Sequence, residues 1–552
     1  TKIASAWSGH DASYYISVDG YPVIHDEYER FLRLKEPAGD SLKFLFEQYE
    51  SVNDIKYFVT CEPIEKIRQY KDSYSKIVKI VENNKGYIYC VGHHKAHAAN
   101  AFFSSNFEES LIITMDGGGI DPETSTSYDS STAFTIWIGK GNKINHVKTF
   151  PMHEINLGGL ATRVTRYIFK LQSGYPLGHQ IGTIMACLCL GDPSKFHDDF
   201  YRMLTTDLTL ASHKPINQPK GAYTGNDPIH PYLNKWSLIA DQSQQNWFDL
   251  AAGFQAALET RLKELLSHII FNLVSNGKLY TNICFSGGVS LNSVVLGKLR
   301  SWFSHIKNIY VPPVPIDSGL PIGCAQYVWH QVLDNPRIKW VDDFTPFLGK
   351  KYSYSEVTKA IDDNKNIWWK FSDIDEVITL LENQKVISVF GGGSESGRRA
   401  LGNRSILADP RNKEMKDKLN KIKHRQWFRP VAPSILKEEV HNWFEEDVDS
   451  PYMNLVAVLK KEKRDLVPSV CHIDNTARLQ TVTKNNCPWY YDLLKKWNEK
   501  TNVPILCCTS LNDSEPIVET PAHAIKCFLS TEIDYVYFYD YDILCTKFIE
   551  NN

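Results

Sequence analysis

The sequence predicts an α/β protein made of two αβ parts, and three observations support this prediction. Apolar strands run directly into glycine-rich turns at 111–119 and at 282–288. A long stretch with apolar residues at helical spacing, 251–275, precedes the second of these turns. The pattern then changes after a polar segment, 341–353, whose proline and glycine are typical of a linker.

The first part opens with a strand and a hairpin. Lys2–Trp7 alternates weakly and predicts a strand, and the next two strands, 12–18 and Tyr21–Glu27, flank Asp19 and Gly20, a pair typical of a two-residue hairpin turn. Four further apolar strands are predicted in this part, at 57–61, 87–91, 111–115 and 282–285. The two units of a strand followed by glycines indicate two halves that close on a nucleotide.

The second part repeats helix and strand signals after the linker. A helix is expected at 374–383 and a strand at 386–390, which is followed by another glycine run. We therefore expect one domain over residues 1–345 and a second αβ domain over residues 346–552.

Composition excludes several classes of protein. The 552 residues carry a net charge of −3, so no overall basic field indicates a nucleic-acid or membrane-surface partner. The 12 cysteines form no CxxC pair and are expected to be buried reduced thiols. The sequence shows neither a signal peptide nor an apolar run long enough to span a membrane, so a cytoplasmic protein is predicted.

A histidine motif, HHKAH, is the first candidate for chemistry. His93 and His97 are four residues apart, so on a helix they share one face and can bind one cation. Asp116, at a strand end, and Asp317, in PIDSGLPIG, are candidates for the third and fourth ligands. Two imidazoles with carboxylate oxygens suit iron(II), manganese or zinc. The alternative is a helix with surface or capping histidines and two turn-forming aspartates.

Glycine turns are the second candidate. Gly117 and Gly118 follow Asp116, and Gly287 and Gly288 lie in SGGVSLN, which ends at Asn292. Backbone N–H groups at such turns can approach an anion, and a following helix adds the positive end of its dipole. A tight strand-to-helix turn explains the same residues equally well.

The third candidate is a basic region that begins after the glycine run at 391. Between Arg398 and Arg429 there are eleven Lys and Arg residues and three acidic ones. Guanidinium groups beside glycine turns are typical of a polyphosphate pocket. A solvated helix face at 413–423 and a nucleic-acid patch are the alternatives.

Two further segments carry polar residues in strand-like surroundings. Arg478 lies in an apolar run, where a charge without a partner would be costly, so it is expected to face an anionic ligand. Ser510 and Asn512 lie at a strand end and are either ligand contacts or simple turn residues.

Taken together, these motifs resemble the O-carbamoyltransferase family, which includes nodulation-factor and antibiotic carbamoyltransferases. HHKAHAANAFF, MDGGG, GTIM, SGGVSLN and DSGLPIG look like its actin-like (ASKHA) N-terminal domain, a duplicated αβ fold. RALGNRSILADPR, KHRQWFRPVAPS, ARLQTV and EPIV look like its YrdC-like α/β C-terminal domain. The segment RALGNRSILADPR is long and specific, and it carries most of the resemblance.

The resemblance implies an ATP-dependent reaction in two steps. The C-terminal domain would convert carbamoyl phosphate and ATP, with Mg²⁺, to carbamoyl-adenylate, and the N-terminal domain would transfer the carbamoyl group to an acceptor hydroxyl near bound Fe²⁺ or a similar divalent metal. The implied metal ligands are His93, His97, Asp116 and Asp317, and the implied catalytic residues are His10 and Lys35. The implied residues for carbamoyl phosphate and ATP are Arg399, Arg404, Lys423, Arg425, Arg429, Arg478, Ser510 and Asn512. The glycines named above and Asn292 would contact the nucleotide or carbamoyl-adenylate.

The sequence departs from the family pattern at three places. Glu36 follows Lys35 where the family usually has histidine, Gly393 stands where arginine is usual, and Arg398 stands where proline is usual. His10 precedes Asp11 at the entrance of the hairpin, and a histidine there is suited to take the acceptor proton as a general base; an exposed loop histidine is the alternative.

The acceptor stays open, as does one rival reaction. A sugar, an antibiotic or a hydroxymethylated pyrimidine in a nucleotide or DNA would each supply a hydroxyl, and nucleic acid is expected as a partner only in that last form. No membrane partner is expected, and the protein is expected to be a monomer or homodimer. The rival readings are a threonylcarbamoyl-type tRNA-modifying enzyme and a non-catalytic actin-like nucleotide-binding module.

Overall fold

The chain divides into two compact units. A computed structural model describes residues 1–62, 68–121, 132–171, 180–206, 231–273, 278–340 and 346–548. The first unit contains Thr1–Val23 and Lys35–Trp340, and the second contains Ile24–Leu34 and Val341–Asn552. A short N-terminal segment, which includes helix α1 (Tyr28–Leu32), therefore belongs to the C-terminal unit.

The sequence did not reveal this insertion. A single boundary near residue 345 separates the two sequence patterns but places 24–34 with the first part, whereas the fold places it with the second. Of the predicted linker, residues 341–345 lie outside the described residues, and 346–353 form neither helix nor strand.

The first unit contains two five-stranded sheets. The strands of the first sheet are β1 (Lys2–Trp7), β2 (Ser13–Val18), β3 (Tyr21–Glu27), β4 (Ile55–Thr60) and β5 (Tyr87–Cys90). The strands of the second are β6 (Glu109–Gly119), β7 (Thr132–Lys140), β8 (Lys143–Pro151), β9 (Asn282–Ser286) and β10 (Asn308–Tyr310). The strand orders are β3-β2-β1-β4-β5 and β8-β7-β6-β9-β10.

The two sheets share one topology. In each, the strand that comes first in the sequence lies in the middle, the next two strands lie on one side of it, and the last two run parallel to it on the other side. This repetition confirms the predicted duplicated αβ fold of the N-terminal part. The sequences of the two halves do not show it, because equivalent strands keep only their apolar character.

The hairpin between β2 and β3 forms as predicted. Asp19 and Gly20 have φ angles of 50° and 82°, and positive φ at both central residues defines the turn type whose twist matches paired strands. Strand β6 is longer than predicted. The sequence indicated an end at Asp116, but pairing resumes at Gly119, opposite Thr132, after an irregularity in the register. Strand pairing there outweighs the low strand propensity of three glycines.

Helices cover and separate these sheets. In the first unit they are α2 (Ser41–Gln48), α3 (Lys71–Asn83), α4 (His93–Phe103), α5 (Leu157–Arg163), α6 (Ile181–Met185), α7 (His197–Thr205), α8 (Pro231–Gln242), α9 (Gln244–His268), α10 (Ser293–Gly297), α11 (Leu299–Trp302) and α12 (Leu320–Tyr327). Helix α9 begins earlier than the predicted helix because the Ser243 hydroxyl accepts the N–H of Asn246 and caps it. It passes into a π-type turn at Ile269–Leu273, and residues 274–275 of that prediction lie outside the described residues.

Helices α4 and α12 form the centre of the first unit. Helix α12 packs on β1 and β2, helix α4 packs on β6 and β9, and the two helices contact each other. A Cβ atom on Gly323 would lie 1.9 Å from the carbonyl oxygen of Ala96, so glycine is needed for this close approach. Every residue of α4 is buried, and its alanines allow packing on several sides at once.

The second unit is built on one mixed sheet of nine strands. They are β11 (Ile367–Phe371), β12 (Ile387–Phe390), β13 (Arg404–Ala408), β14 (Ala432–Leu436), β15 (Leu455–Val458), β16 (Thr476–Val482), β17 (Ile505–Ser510), β18 (Tyr535–Phe538) and β19 (Ile543–Lys547). Their order is β11-β19-β18-β12-β13-β17-β14-β16-β15. The helices are α13 (Tyr354–Asp362), α14 (Ile374–Glu382), α15 (Met415–Ile422), α16 (Val440–Trp443), α17 (Pro488–Thr501) and α18 (Pro521–Ser530), in addition to α1. The predicted αβ character of this part is confirmed.

Two chain-wide properties complete the fold. All 12 cysteines are free thiols, and most are buried. Among the helices that the structure describes, none is both long enough and apolar enough to cross a bilayer.

Candidate functional site

The first unit contains a buried cluster of two histidines and two aspartates, here called the histidine–carboxylate cluster: His93, His97, Asp116 and Asp317. One ligand atom from each lies within 4.8 Å of the others. The histidines occupy one face at the start of α4, Asp116 lies near the end of β6, and Asp317 opens the turn before α12. The structure thus brings together all four residues that the sequence proposed as metal ligands.

The histidine side chains point the same nitrogen at both carboxylates. The Nε2 atoms of His93 and His97 lie 3.0 and 3.2 Å from Oδ2 of Asp116, and each lies 3.4 Å from Oδ1 of Asp317. The second oxygen of Asp116 accepts the N–H groups of Gly117, at 2.8 Å, and Gly288, at 3.2 Å. Two of the proposed nucleotide-binding glycines therefore orient a carboxylate of the cluster.

Electrostatics in the cluster favour a bound cation. Burial lowers the pKa of His93, but the charges and hydrogen bonds of Asp317 and Asp116 more than offset it and raise the pKa to about 10. The pKa of His97 is also raised against burial, by hydrogen bonds to the same two carboxylates. The pKa values of Asp116 and Asp317 are lowered, in spite of burial, by the histidines. Positive charge among these groups is thus stabilised, and two imidazole nitrogens with two carboxylate oxygens are a donor set that fits iron(II), manganese(II) or zinc(II).

Ser286 fixes the orientation of one histidine. Its Oγ lies 3.3 Å from Nδ1 of His97 and donates to the carbonyl oxygen of Pro315 at 3.4 Å. Because the hydroxyl hydrogen is used on Pro315, Nδ1 of His97 donates to Oγ, and Nε2 faces the carboxylates. The sequence analysis did not single out Ser286, although it is the first residue of SGGVSLN.

The middle histidine of HHKAH has a structural environment. Nε2 of His94 donates to the carbonyl oxygen of Thr132 at 2.8 Å, and Nδ1 accepts from the Thr114 hydroxyl at 2.6 Å. Burial, and the nearby charges of the other two histidines, lower the pKa of His94 to about 4. A neutral imidazole thus ties the start of α4 to strands β6 and β7.

His10 lies beside the histidine–carboxylate cluster. Its Nε2 is 3.2 Å from Oδ2 of Asp317, and its Nδ1 is 2.9 Å from Oδ2 of Asp11. Burial lowers the pKa of His10, but Asp317, Asp11 and the charge of Glu36 raise it to about 9. Asp11, through a hydrogen bond, and Glu36, through its charge, thus influence His10, which the sequence analysis did not propose. Lys35 is partly buried, and its catalytic role stays a prediction.

The remaining residues of SGGVSLN shape the turn. A Cβ on Gly287 would lie 2.2 Å from the carbonyl oxygen of Met115, and its φ is 91°, so only glycine fits. The side-chain amide of Asn292 exchanges hydrogen bonds with that of Gln255, at 2.9 and 3.2 Å, and accepts the N–H of Val295. Nucleotide contacts by Gly118, Gly287 and Asn292 stay a prediction.

A lysine of the second unit assembles two distant polar residues. Nζ of Lys423, just after α15, donates to the carbonyl and hydroxyl oxygens of Ser510, at 2.5 and 3.2 Å. It also donates to the backbone oxygen of Asn512 at 3.0 Å and to its side-chain oxygen at 2.6 Å. The three residues were proposed for one pocket from separate motifs, and the fold places them in contact.

Five arginines of the second unit influence one another's charge, and we call them the arginine cluster: Arg398, Arg399, Arg425, Arg429 and Arg478. Burial, followed by the neighbouring guanidinium charges, lowers the pKa of Arg399 well below its usual value. The same causes lower the pKa of Arg425 to about 9, and burial together with Arg429 lowers that of Arg478 to about 10. An anion bound among such cations would relieve their mutual repulsion, and the predicted contacts of these arginines with phosphate groups stay a prediction.

Arg404 differs from the arginine cluster. Its fully buried guanidinium donates to the carbonyl oxygens of Gly391 at 2.7 Å and Asn403 at 2.9 Å, and lies 3.6 Å from the ring centre of Phe390. Its donors are used to hold the loop before β13, so a phosphate contact by Arg404 stays a prediction that this geometry does not support. The sequence analysis noted Arg398 only as a departure from the family pattern. In the structure, the charge of Arg398 is one of those that lower the pKa of Arg399.

Comparison with known proteins covers both units. The family described as "Carbamoyltransferase N-terminus" matches residues 42–326, and the family described as "Carbamoyltransferase C-terminus" matches residues 378–544. Both matches identify this protein as a transferase. The chain belongs to the carbamoyltransferase family, which confirms the resemblance seen in the motifs.

Curated relatives agree with this assignment. The uncharacterized protein sll1178 of Synechocystis sp. is 34% identical over 484 residues, which are 80% of this chain and 74% of the relative. The nodulation protein NolO of Bradyrhizobium diazoefficiens is 32% identical over 465 residues, 80% of this chain and 77% of NolO. The nodulation protein NolNO of Sinorhizobium fredii is 32% identical over 468 residues, 80% of this chain and 62% of NolNO.

Solved structures are more distant. HypF of T. kodakarensis aligns with a TM-score of 0.35 and 12% identity, over 60% of this chain and 48% of HypF, so the chain corresponds to about half of that protein. A ROK hexokinase of Thermus thermophilus aligns with a TM-score of 0.28 and 11% identity, over 59% of this chain and 98% of the hexokinase. Similarity at this level adds nothing to the topology described above.

Proposed function

We propose that this carbamoyltransferase uses ATP and carbamoyl phosphate to make carbamoyl-adenylate and then transfers the carbamoyl group to an acceptor hydroxyl. The observation that carries the proposal is the arginine cluster of the second unit. Buried guanidinium groups whose neighbours lower their pKa values would be stabilised by an anionic ligand, and ATP and carbamoyl phosphate both carry several negative charges on phosphoryl oxygens.

The second unit would carry out adenylation. A carbamoyl group is a weak electrophile because its nitrogen lone pair feeds the carbonyl, so a better leaving group is needed before an alcohol can attack. Water would first release phosphate from carbamoyl phosphate, and an oxygen of the resulting carbamate would then attack the α-phosphorus of ATP and displace pyrophosphate. The carbamoyl group is then linked to AMP, which is a good leaving group. Arg399 and Arg478 would hold the phosphoryl oxygens, while Lys423, already placed by Ser510 and Asn512, would add a compact charge. Mg²⁺ would accompany the nucleotide.

The first unit would carry out transfer. A divalent cation held by His93, His97, Asp116 and Asp317 would supply a Lewis acid that stabilises negative charge on the carbamoyl oxygen. His10 would take the proton of the attacking hydroxyl. With a pKa of about 9, His10 is protonated at neutral pH. The charge of Asp317 is the largest of the influences that raise this pKa, so a cation that neutralises the Asp317 carboxylate would lower it again.

One experiment separates the two steps. Pyrophosphate exchange into ATP that depends on carbamoyl phosphate reports adenylation alone, and carbamoylated acceptor reports both steps. We expect Arg478→Ala to abolish both signals and His97→Ala to abolish only carbamoylation. An equal loss of exchange in the two variants would contradict the two-site assignment.

The acceptor is identified by a second measurement. Candidate sugars, antibiotics and hydroxymethylated pyrimidines are incubated with ATP and carbamoyl phosphate, and mass spectrometry detects the addition of one carbamoyl group. Exchange that requires threonine and bicarbonate instead of carbamoyl phosphate would favour the tRNA-modifying alternative and overturn the proposal.

A further inference from the structure

The segment Ile24–Leu34 is part of the second unit, although more than three hundred residues separate it from the rest of that unit. The N–H of His25 donates to the carbonyl oxygen of Leu348 at 3.1 Å, which fixes one end of the segment. At the other end, Arg33 donates to the carbonyl oxygens of Pro516 and Ile517, at 2.6 and 2.8 Å. The segment is therefore bonded into the second unit along its length.

The middle of the segment holds one loop of the second unit, residues 391–403, which joins β12 to β13. Nη2 of Arg30 donates to the carbonyl oxygens of Glu395 at 3.0 Å and Gly397 at 2.6 Å. Oε2 of Glu27 accepts the N–H of Gly397 at 3.0 Å and lies 3.4 Å from Nη2 of Arg30. We call these contacts the Arg30–Glu27 clasp.

The two side chains of the clasp are buried, and their opposite charges stabilise each other. Arg30 is only 2% exposed and Glu27 only 5%, so neither charge is solvated by bulk water. Burial lowers the pKa of Arg30, but the charge of Glu27 and of nearby acidic side chains outweighs it, and the guanidinium stays protonated. Removal of either member would leave the other as a buried charge with less compensation, which is costly.

The loop is also braced from inside. Oε1 of Glu395 accepts the N–H groups of Leu401, Asn403 and Arg404, at 2.9, 2.8 and 3.1 Å. Gly397 has a φ of 95°, a conformation that costs other residues strain. With the backbone fixed at Gly397 and again from Leu401 onward, few alternative paths remain for the three residues between them.

The first two of these residues are Arg398 and Arg399 of the arginine cluster. They follow Gly397 directly, so the peptide that the clasp grips sets the direction in which both side chains leave the backbone. We propose that Arg30 and Glu27 are positioning residues for Arg398 and Arg399, so that a segment from the N-terminus of the chain determines anion binding in the C-terminal unit. This inference rests on the proposed function of the arginine cluster.

The test is steady-state kinetics of pyrophosphate exchange in the full-length protein. In Arg30→Met, we expect the KM for carbamoyl phosphate or ATP to rise at least about tenfold with a much smaller change in kcat, because misplaced cations weaken anion binding. Arg30→Lys keeps the charge, but its side chain is one bond shorter and ends before the position of Nη2, so its KM should lie between those of Arg30→Met and the wild type. Arg464→Met is the matched control: this partly buried arginine of the same unit donates from Nε to the carbonyl oxygen of Leu459 at 3.0 Å, and its loss should leave both KM values unchanged.

The outcomes are distinct. Absence of exchange in the wild type would contradict the proposed function and not the clasp. A folded Arg30→Met with wild-type KM values for both substrates would overturn the clasp. If Arg30→Met does not fold, Glu27→Gln, which keeps an oxygen for the N–H of Gly397 but loses the charge, replaces it and should raise KM in the same direction. Failure of both variants to fold would show that the clasp maintains the fold and does not position the arginines, which also overturns the proposal.

Discussion

Replacing Arg478, a member of the arginine cluster, should stabilise the protein and at the same time weaken its binding of phosphate. The pKa of Arg478 is lowered from 12.5 to about 10, first by burial and then by Arg429, so at neutral pH the folded protein carries a charge that it disfavours. A lowering of that size corresponds to about 3 kcal/mol, and partial exposure of the side chain reduces it to about 1–3 kcal/mol. Arg478→Met keeps the aliphatic stem and removes the charge, so the free energy of unfolding should increase by that amount.

The sign follows from proton binding. Between pH 10 and 12.5 the unfolded chain binds more protons at this residue than the folded one, so the unfavourable contribution is fully present below pH 10 and disappears above 12.5. At pH 7.5 the variant should therefore melt higher than the wild type, by roughly 2–12 °C for a unit of this size. Inorganic phosphate should raise the melting temperature of the wild type and do so less in the variant.

Differential scanning calorimetry at pH 7.5, with and without phosphate, measures both effects. Arg464→Met serves again as the control, since loss of its hydrogen bond to Leu459 should lower the melting temperature or leave it unchanged. The reasoning is refuted if Arg478→Met melts at or below the wild-type temperature without phosphate. It is also refuted if phosphate protects the variant as strongly as the wild type.

Three further predictions concern the first unit. Burial lowers the pKa of His330 to about 4, so between pH 6.5 and 4 only the unfolded chain takes up this proton and stability falls as the pH falls, by up to about 3 kcal/mol. Calorimetry at pH 7 and 4.5 should show a smaller acid loss in His330→Phe than in the wild type, and no such change in the exposed control His153→Gln. Elemental analysis should find a divalent metal in the purified wild type and little in the His93→Ala/His97→Ala double variant; equal contents would remove the metal assignment. His10→Asn should cut the chemical rate of carbamoylation by about 10²–10⁴ with exchange and metal content unchanged, and a wild-type rate would take His10 off the catalytic list.

Local patterns were the part of the fold that the sequence predicted well. The Asp19-Gly20 turn needs only two residues with positive φ, and the shared face of His93 and His97 needs only a helix. Both depend on neighbours in the chain, and both are confirmed.

Long-range contacts were less accessible. Nothing near Arg404 in the sequence shows that its guanidinium meets carbonyl oxygens on the preceding loop, because an arginine beside glycines also fits a phosphate site. The approach of Asp317 to His10, more than three hundred residues away, follows from the packing of α12 against β1 and β2, which no local pattern encodes. The duplicated topology became visible only from strand order, since the two halves share an arrangement and not a sequence motif.

The insertion of Ile24–Leu34 into the second unit has a consequence for recombination between relatives. A chimaera joined only near residue 340 would combine the C-terminal unit of one parent with a helix and half a strand of the other. The contacts across that junction include the partly buried ion pair of Arg33 with Glu515, at 3.1 Å, and the hydrogen bonds of Arg30 to the carbonyl oxygens of Glu395 and Gly397. Parents that differ at Arg33 or Glu515 would then yield hybrids in which this ion pair is mismatched. Exchange of 24–34 together with the C-terminal unit is therefore the graft that preserves these contacts.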